Sequence, residues 1–237
     1  MYMGGKTRVA PQICAVMRAH RKGAHNYVEP FMGGGSVAAL MAPEFETAYL
    51  SDANESLVML WQDILNGWKP PGHITKAEWD LLRADVRPSA MKALAGFASS
   101  FGGKWFAGYA KSPGRNYVSG GVRELVKFAS GFRHAEVNHL DYLDAGKFVG
   151  FGSLVYCDPP YEGTTGYGAV GSFNSGQFWD TMREWAGRGA TVFVSEYTAP
   201  EDFAPVWRLK VQVSLAKQSN NDVGTEQLFM YRGGNHG

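Results

Sequence analysis

Apolar positions follow two rhythms along this chain. Asn26–Glu29 (NYVE) is a short apolar run that stops at Pro30, followed by a glycine-rich turn and by Ser36–Met41 (SVAALM), which has helical character. Thr47–Leu50 (TAYL) begins a second such unit. After Ser51-Asp52, the residues Leu57, Leu60, Trp61, Ile64 and Leu65 recur at helical spacing as far as Gly67, and Pro70-Pro71 breaks the pattern. Further on, Ser153–Cys157 (SLVYC) is a continuous apolar strand, and Phe178, Met182 and Trp185 mark an amphipathic helix ending near Gly187. Ala190–Ser195, Val211–Ala216 and Gln227–Tyr231 supply further strands. Apolar strands alternating with helices predict an α/β fold whose mostly parallel sheet is covered by helices on both faces. The last two strands, joined by the polar run Lys217–Thr225, are expected to pair antiparallel at one edge. No internal repeat is present. Residues 1–66 and 137–237 therefore read as one discontinuous domain, interrupted by an insertion at residues 67–136.

Composition narrows the class. With 45% hydrophobic and 14% aromatic against 19% charged residues in 237, the chain can bury enough apolar surface to fold. The stretch from Met1 to Gly23 carries Lys6, Arg8, Arg18, Arg21 and Lys22 without an apolar segment, and no run of about 18 apolar residues occurs anywhere. An intracellular protein without a membrane span is expected. Cys14 and Cys157 stand far apart and the six histidines are scattered, which supports neither a disulfide framework nor a zinc site.

The net charge of +1 hides a division. Residues 67–136 hold eleven Lys and Arg against five Asp and Glu, so the insertion is at +6 and the two flanks together at −5. Between Arg87 and Arg133 the one acid is Glu124, against eight basic residues. The same stretch interleaves Phe97, Phe101, Trp105, Phe106, Tyr109 and Tyr117 with glycines. One reading is a surface for phosphates and bases. The other is a solvated basic face over a small aromatic core.

Two motifs carry chemistry. Glu29-Pro-Phe-Met-Gly-Gly-Gly-Ser36 follows a strand and opens a helix, and Gly33-x-Gly35-x-x-Ala38 satisfies a permissive nucleotide-binding pattern in which glycine lets the backbone turn tightly and approach a ligand. Asp52 stands 19 residues beyond Gly33 at the end of the next strand, where a carboxylate can accept hydrogen bonds from both hydroxyls of a ribose. A tight turn followed by an Asp52 or Asn54 helix cap would give the same pattern. The sharper motif is Asp158-Pro159-Pro160-Tyr161, directly after SLVYC. Two prolines cannot continue a β-ladder, so the strand stops and a rigid elbow fixes the Asp158 carboxylate and the Tyr161 ring at the sheet edge. That arrangement suits the exocyclic amine of an extruded base: Asp158 and the Pro159 carbonyl accept its two N–H hydrogens, while Tyr161 stacks on the ring. With both hydrogens held, the nitrogen lone pair is available for in-line attack on an electrophilic methyl group. Alternatively, the prolines simply end an edge strand and Tyr161 fills a corner.

In their order along the chain, Gly4-Gly5-Lys6, Glu29-Pro-Phe-Met-Gly-Gly-Gly, Ser51-Asp52, the basic insertion, Leu140-Asp141-Tyr142 and Asp158-Pro-Pro-Tyr resemble the Dam-type, or D12 class, DNA adenine methylases, particularly their bacteriophage and prophage members. The resemblance implies a Rossmann-like S-adenosylmethionine-dependent methyltransferase sheet with a small, mainly helical target-recognition lobe inserted at 67–136. It implies S-adenosylmethionine as donor, while the scattered cysteines and histidines lead to the expectation of no metal. Glu29, Phe31, Gly33, Gly35 and Ser36 would lie against its methionine part, Asp52 on its ribose, Asp141 near its adenine, and Lys6 near the donor or the base pocket. Here the first motif is shortened to Met3-Gly4-Gly5-Lys6, so a frayed cationic terminus is the other reading of Lys6. Asp141 could equally cap the residues after it. The glycine-rich run Gly163–Ser172 stands where a closing loop would.

The reading reached is a DNA methyltransferase acting on the N6 amino group of adenine in duplex DNA by base flipping, as a monomer or weak dimer in a bacterial cytoplasm, in keeping with protection of phage DNA from restriction. Arg87, Lys104, Trp105, Lys111, Arg115 and Asn116 of the insertion are the candidates for DNA contact. Methylation of cytosine at N4 needs the same pocket chemistry and stands as the alternative, although many such enzymes begin the elbow with Ser. RNA or protein-amide methylation, a non-catalytic DNA-binding protein on this scaffold, and a Rossmann oxidoreductase explain less of the ordered set.

Overall fold

A computed structural model describes residues 6–112, 114–160, 173–212 and 223–233. Tyr161, the run 163–172 and Gly4-Gly5 lie outside the described residues.

In chain order the elements are α1 (Ala10–Ala19), β1 (Asn26–Glu29), α2 (Ala38–Met41), β2 (Thr47–Asp52), α3 (Glu55–Leu65), α4 (Lys76–Ala84), α5 (Ala90–Ala98), α6 (Tyr117–Ala129), β3 (Glu136–His139), α7 (Tyr142–Ala145), β4 (Ser153–Cys157), α8 (Ser175–Gly187), β5 (Thr191–Ser195), β6 (Phe203–Gln212) and β7 (Val223–Tyr231). The strands form one seven-stranded sheet in the order β3-β2-β1-β4-β5-β7-β6. β3, β2, β1, β4 and β5 are parallel, and β7 is antiparallel to both β5 and β6. This is the expected doubly wound α/β architecture with its antiparallel pair.

Period-two alternation explains the layers. Successive strand side chains point to opposite faces. Accordingly Tyr27, Leu154, Tyr156 and Phe193 pack with α1, α2, α3 and the insertion. Val28, Val155, Cys157, Val192 and Val194 pack on the other face with Tyr142 of α7 and with Phe178, Met182 and Trp185 of α8. Burial of β4 at all five positions is why SLVYC reads as an unbroken apolar run.

One expectation is corrected. The sixth strand occupies 203–212, so the apolar run expected at 211–216 overlaps it by two residues, and 213–222 lie outside the described residues. α1 and β3 escaped the pattern reading: EVNH of β3 has one buried residue, so its strand character comes from pairing with β2 at a sheet edge. The insertion is helical, but its apolar side chains are continuous with the main core. Trp79, Leu94, Phe97 and Val118 join the cluster that holds Trp61 and Tyr27.

The insertion's aromatic residues resolve into two groups. Trp79 is fully buried, donates its Nε1–H to Ser100 Oγ at 3.0 Å, and is met edge-on by Phe106 and Tyr109 at 5.2 and 6.2 Å between centroids. Trp105 packs against Phe97 at 4.9 Å and Phe106 at 5.0 Å. Gly96 of α5 makes this possible: a Cβ there would come within 2.6 Å of the Trp105 ring. Phe101 and Tyr117 are the exposed ones. The basic face over an aromatic core is therefore the better description of most of this stretch.

Candidate active site at the carboxyl edge of the sheet

Strand order decides which loops meet. β4, β1, β2 and β3 are consecutive neighbours, so the segments leaving their carboxyl ends line one edge. From one side to the other these segments carry Asp158, the glycine turn 31–36, Asp52 and Asp141. Doubly wound sheets bind ligands at this edge, where the connections to neighbouring strands diverge.

The glycine turn is held from below. Met32 N–H donates to Ser51 O of β2 at 2.9 Å and Gly35 N–H to Met32 O at 2.8 Å. Gly33 and Gly35 have φ of 45° and 69°, in the left-handed region where glycine costs least. At Gly35 a side chain is also excluded by packing, since a Cβ would stand 3.1 Å from both the Phe132 and Trp61 rings. Trp61 of α3 locks the turn by donating Nε1–H to Gly33 O at 3.0 Å. Ser36 is buried and, with Gly34, lines an apolar cleft against Leu57, Leu94, Phe97 and Leu125.

Asp52 ties this turn to the next strand. Its Oδ2 accepts Gly33 N–H at 3.0 Å and its Oδ1 accepts Asn54 N–H at 2.9 Å. Burial pushes its carboxyl above the ordinary value, against the pull of those two hydrogen bonds. Each carboxylate oxygen has a further lone pair, so two hydroxyls can still be accepted. The cap role weighed for Asn54 is present as well: its side chain accepts Leu57 N–H at the start of α3. Capping of α3 thus falls to Asn54, while Asp52 fastens the glycine turn to the end of β2.

Glu29 takes a different position from the one its place in the motif implied. It is 2% exposed and accepts the Tyr27 hydroxyl at 2.5 Å. Burial raises its carboxyl well above the usual range, and the nearby Asp158 and Asp52 charges push the same way. Glu29 is a buried strut beneath the turn. Phe31 stacks on Tyr142 at 5.5 Å and meets Phe173 and Phe178 edge-on, which fixes the turn to α7 and α8. Asp141 caps α7, accepting Leu143 N–H at 2.9 Å, at the carboxyl end of β3 beside Asp52.

The elbow after β4 places Asp158 with 20% of its side chain exposed and Pro159 buried. Lys6 Nζ lies 3.0 Å from Asp158 Oδ1 and 3.4 Å from Glu226 Oε2, with the lysine 6% exposed. The frayed-terminus reading of Lys6 is set aside by that burial. Desolvation works to lower its pKa, but the charges of Asp158 and Glu226 and hydrogen bonds to both carry it above its ordinary value, so it is an ammonium ion. Beneath the elbow, the Tyr156 hydroxyl and Ser195 Oγ are 2.9 Å apart, linking β4 to β5. Tyr161 lies outside the described residues.

Of the insertion candidates, Arg87, Lys104, Lys111, Arg115 and Asn116 are exposed. The Arg87 guanidinium pairs with Asp85 at 3.0 Å. Asn116 caps α6 by accepting Ser119 N–H at 3.0 Å and donates to Gly72 O at 2.9 Å, while Trp105 is part of the aromatic packing. Sequence reasoning missed Glu226. It stands one residue before the expected strand 227–231 and carries no local motif. Among the described residues, no group of three His, Cys, Asp or Glu could hold a metal ion, and no helix is long and apolar enough to cross a membrane.

The strand order, with β7 inserted antiparallel between β5 and β6, and the glycine turn between β1 and α2 define a Rossmann-like α/β fold. Within the chain, residues 2–88 match the family model of the D12 class N6 adenine-specific DNA methyltransferases. Solved structures of similar fold include yhhF from Escherichia coli, 12% identical over 96% of this chain and 88% of that one, with a TM-score of 0.43. PH1948 from Pyrococcus horikoshii is 9% identical over 94% and 83%, with a TM-score of 0.42. The magnesium protoporphyrin IX methyltransferase of Synechocystis PCC 6803, solved with bound SAM, is 10% identical over 97% and 81%, with a TM-score of 0.40. Similarity at this level transfers no substrate or reaction to the chain. No curated protein matches it.

Proposed function

We propose that this protein is a DNA methyltransferase that moves a methyl group from S-adenosylmethionine to the N6 amino group of adenine in duplex DNA. The observation that carries the reading is the Asp158 carboxylate, held by a proline elbow at the end of β4, on the strand next to the glycine turn and two strands from Asp52. The match of residues 2–88 to the adenine-specific D12 model supports the choice of base.

The residues present fit the donor. Asp52 retains acceptor capacity for ribose hydroxyls, and the turn 31–36 offers backbone without a side chain at Gly33, Gly34 and Gly35. The donor, when bound, supplies an electrophilic methyl group on a sulfonium centre. Asp158 and the Pro159 carbonyl accept the two amine hydrogens of the flipped base, which leaves the nitrogen lone pair pointing toward the methyl. Positioning and electrostatics supply the acceleration, because a lone pair freed from ring conjugation needs no strong base. The insertion is the target-recognition lobe. Lys104, Lys111 and Arg115 are its phosphate-facing cations, since Asn116 and Trp105 are engaged in capping and packing.

Incubating the protein with labelled S-adenosylmethionine and unmethylated duplex DNA, followed by digestion to nucleosides, is expected to yield N6-methyladenine. Recovery of N4-methylcytosine instead would move the assignment to that base, and absence of label in any nucleoside would overturn it.

A further inference from the structure

One more acid reaches the carboxyl edge. β7 runs antiparallel to β5 with Ser195 opposite Leu228, so the residues before Leu228 extend past the end of β5 toward the edge where Asp158 leaves β4. Glu226 is among them, at 21% exposure, and Lys6 bridges it to Asp158. We propose that Glu226 is a positioning residue for methyl transfer: it is the second seat of the Lys6 ammonium, which lets Lys6 release Asp158 when the substrate amine arrives. This rests on the functional reading above.

The argument is one of acceptor capacity and burial. Asp158 has to face the incoming amine, yet its Oδ1 is 3.0 Å from Lys6 Nζ. A buried ammonium that loses its one counter-ion is strongly destabilising. With Asp158 alone as partner, Lys6 would have to stay on that carboxylate, whose remaining lone pairs would then meet the amine with their charge already neutralised. Glu226 at 3.4 Å removes the conflict, because a small displacement of Nζ keeps the charge paired throughout. The three groups sum to −1, a favourable field for a reaction in which positive charge passes from sulfur to nitrogen. In that step the nitrogen lone pair forms the N–C bond and the S–C bonding pair returns to sulfur. The amine then gives one proton to the Asp158 carboxylate, which releases it to water. Tyr197, just after β5, faces the same cluster. Burial raises its phenol, the Glu226 charge adds to that, and Lys6 opposes it.

The test compares Glu226→Gln and Glu226→Asp with the parent by three measurements: kcat on saturating duplex DNA, S-adenosylmethionine affinity by calorimetry, and the titration of the Lys6 ammonium by ¹⁵N NMR. Glu226→Gln is expected to lower kcat about tenfold, less than the ~10²-fold of a gross misplacement. Donor affinity stays within about twofold, and Lys6 loses its proton at a lower pH than in the parent because the Glu226 counter-charge is gone. Glu226→Asp is expected to recover most of kcat. Parental kcat in Glu226→Gln, an unmoved Lys6 titration, or a loss of kcat that Glu226→Asp does not recover would each overturn the proposal. If the parent methylates no nucleoside, the functional reading fails on its own, while the titration still decides whether Glu226 carries the ammonium.

Discussion

The carboxyl edge and the inserted helices use similar residues for opposite ends. At the edge, charged groups are pulled into partial burial. Asp52, Lys6 and Glu226 have limited exposure and their partners come from distant parts of the chain. In the insertion most of the aromatic residues are packed and most of the cations are left outside, as with Trp79 against Lys111 and Arg115. Buried charge in a cleft is a mark of chemistry, because desolvation has to be offset by arranged partners. Buried aromatic groups beneath exposed cations are a mark of a stable platform for an anionic surface. Substitutions at the edge should therefore change reaction or ligand binding at little cost in stability, and those in the insertion's core should do the reverse.

The sharpest break in that comparison is Asp158→Ala. Turnover on duplex DNA is expected to fall on the order of 10³-fold, the scale seen when one preorganised group is removed from a reacting centre. Lys6 keeps Glu226, so calorimetric donor binding and the melting temperature should be largely preserved. Turnover close to that of the parent would remove the elbow from the mechanism.

Trp79→Ala is the converse. A fully buried indole with a hydrogen bond to Ser100 is lost from the junction of α4 and α5, and urea unfolding should show about 3–5 kcal/mol of destabilisation. Donor affinity per folded molecule should change little. A loss of donor binding without loss of stability would merge the two regions into one site.

Asp52→Asn comes next. An amide cannot accept at both positions, so either Gly33 N–H or Asn54 N–H faces another donor, and at least one charged hydrogen bond to the ligand is weakened. Affinity for S-adenosylmethionine should drop roughly 10- to 100-fold by calorimetry, at about 1.5–3 kcal/mol per hydrogen bond to a charged group. The parent adds a pH test. Burial raises the Asp52 pKa, so its carboxylate is lost at a higher pH on acidification than a free Asp would be. Donor affinity should accordingly begin to fall above the ordinary carboxylate value of 3.8, and this limb should be absent in Asp52→Asn. For folding the sign is opposite: a raised carboxyl makes Asp52 alone favour the folded state at low pH, a contribution lost as pH rises through its folded pKa.

The smallest effect is expected from Lys111→Ala combined with Arg115→Ala. Both side chains are exposed, so stability should stay within about 0.5 kcal/mol of the parent. The slope of log affinity for DNA against log salt should flatten by up to about 1.8, at ~0.9 per phosphate contact. An unchanged slope would place the phosphate surface elsewhere.

Local features of the chain were legible wherever one element decides them. The β1 and β4 strands, the glycine turn, the Asp52 that follows β2 and the elbow at Asp158 all depend on short-range backbone rules: period two, the freedom of glycine, and the missing N–H of proline. The amino acids alone thus determined an α/β sheet, its edge and two of its acids. What they could not determine was which groups share that edge. Glu226 belongs there because β7 turns back antiparallel beside β5, and Lys6 because its side chain reaches both Asp158 after β4 and Glu226 of β7. Only the tertiary structure turned Glu29 into a buried strut and Trp105 into packing. Burial and partner choice are properties of strand order and of side chains as distant in the chain as Lys6 and Glu226, and no single stretch of sequence contains them.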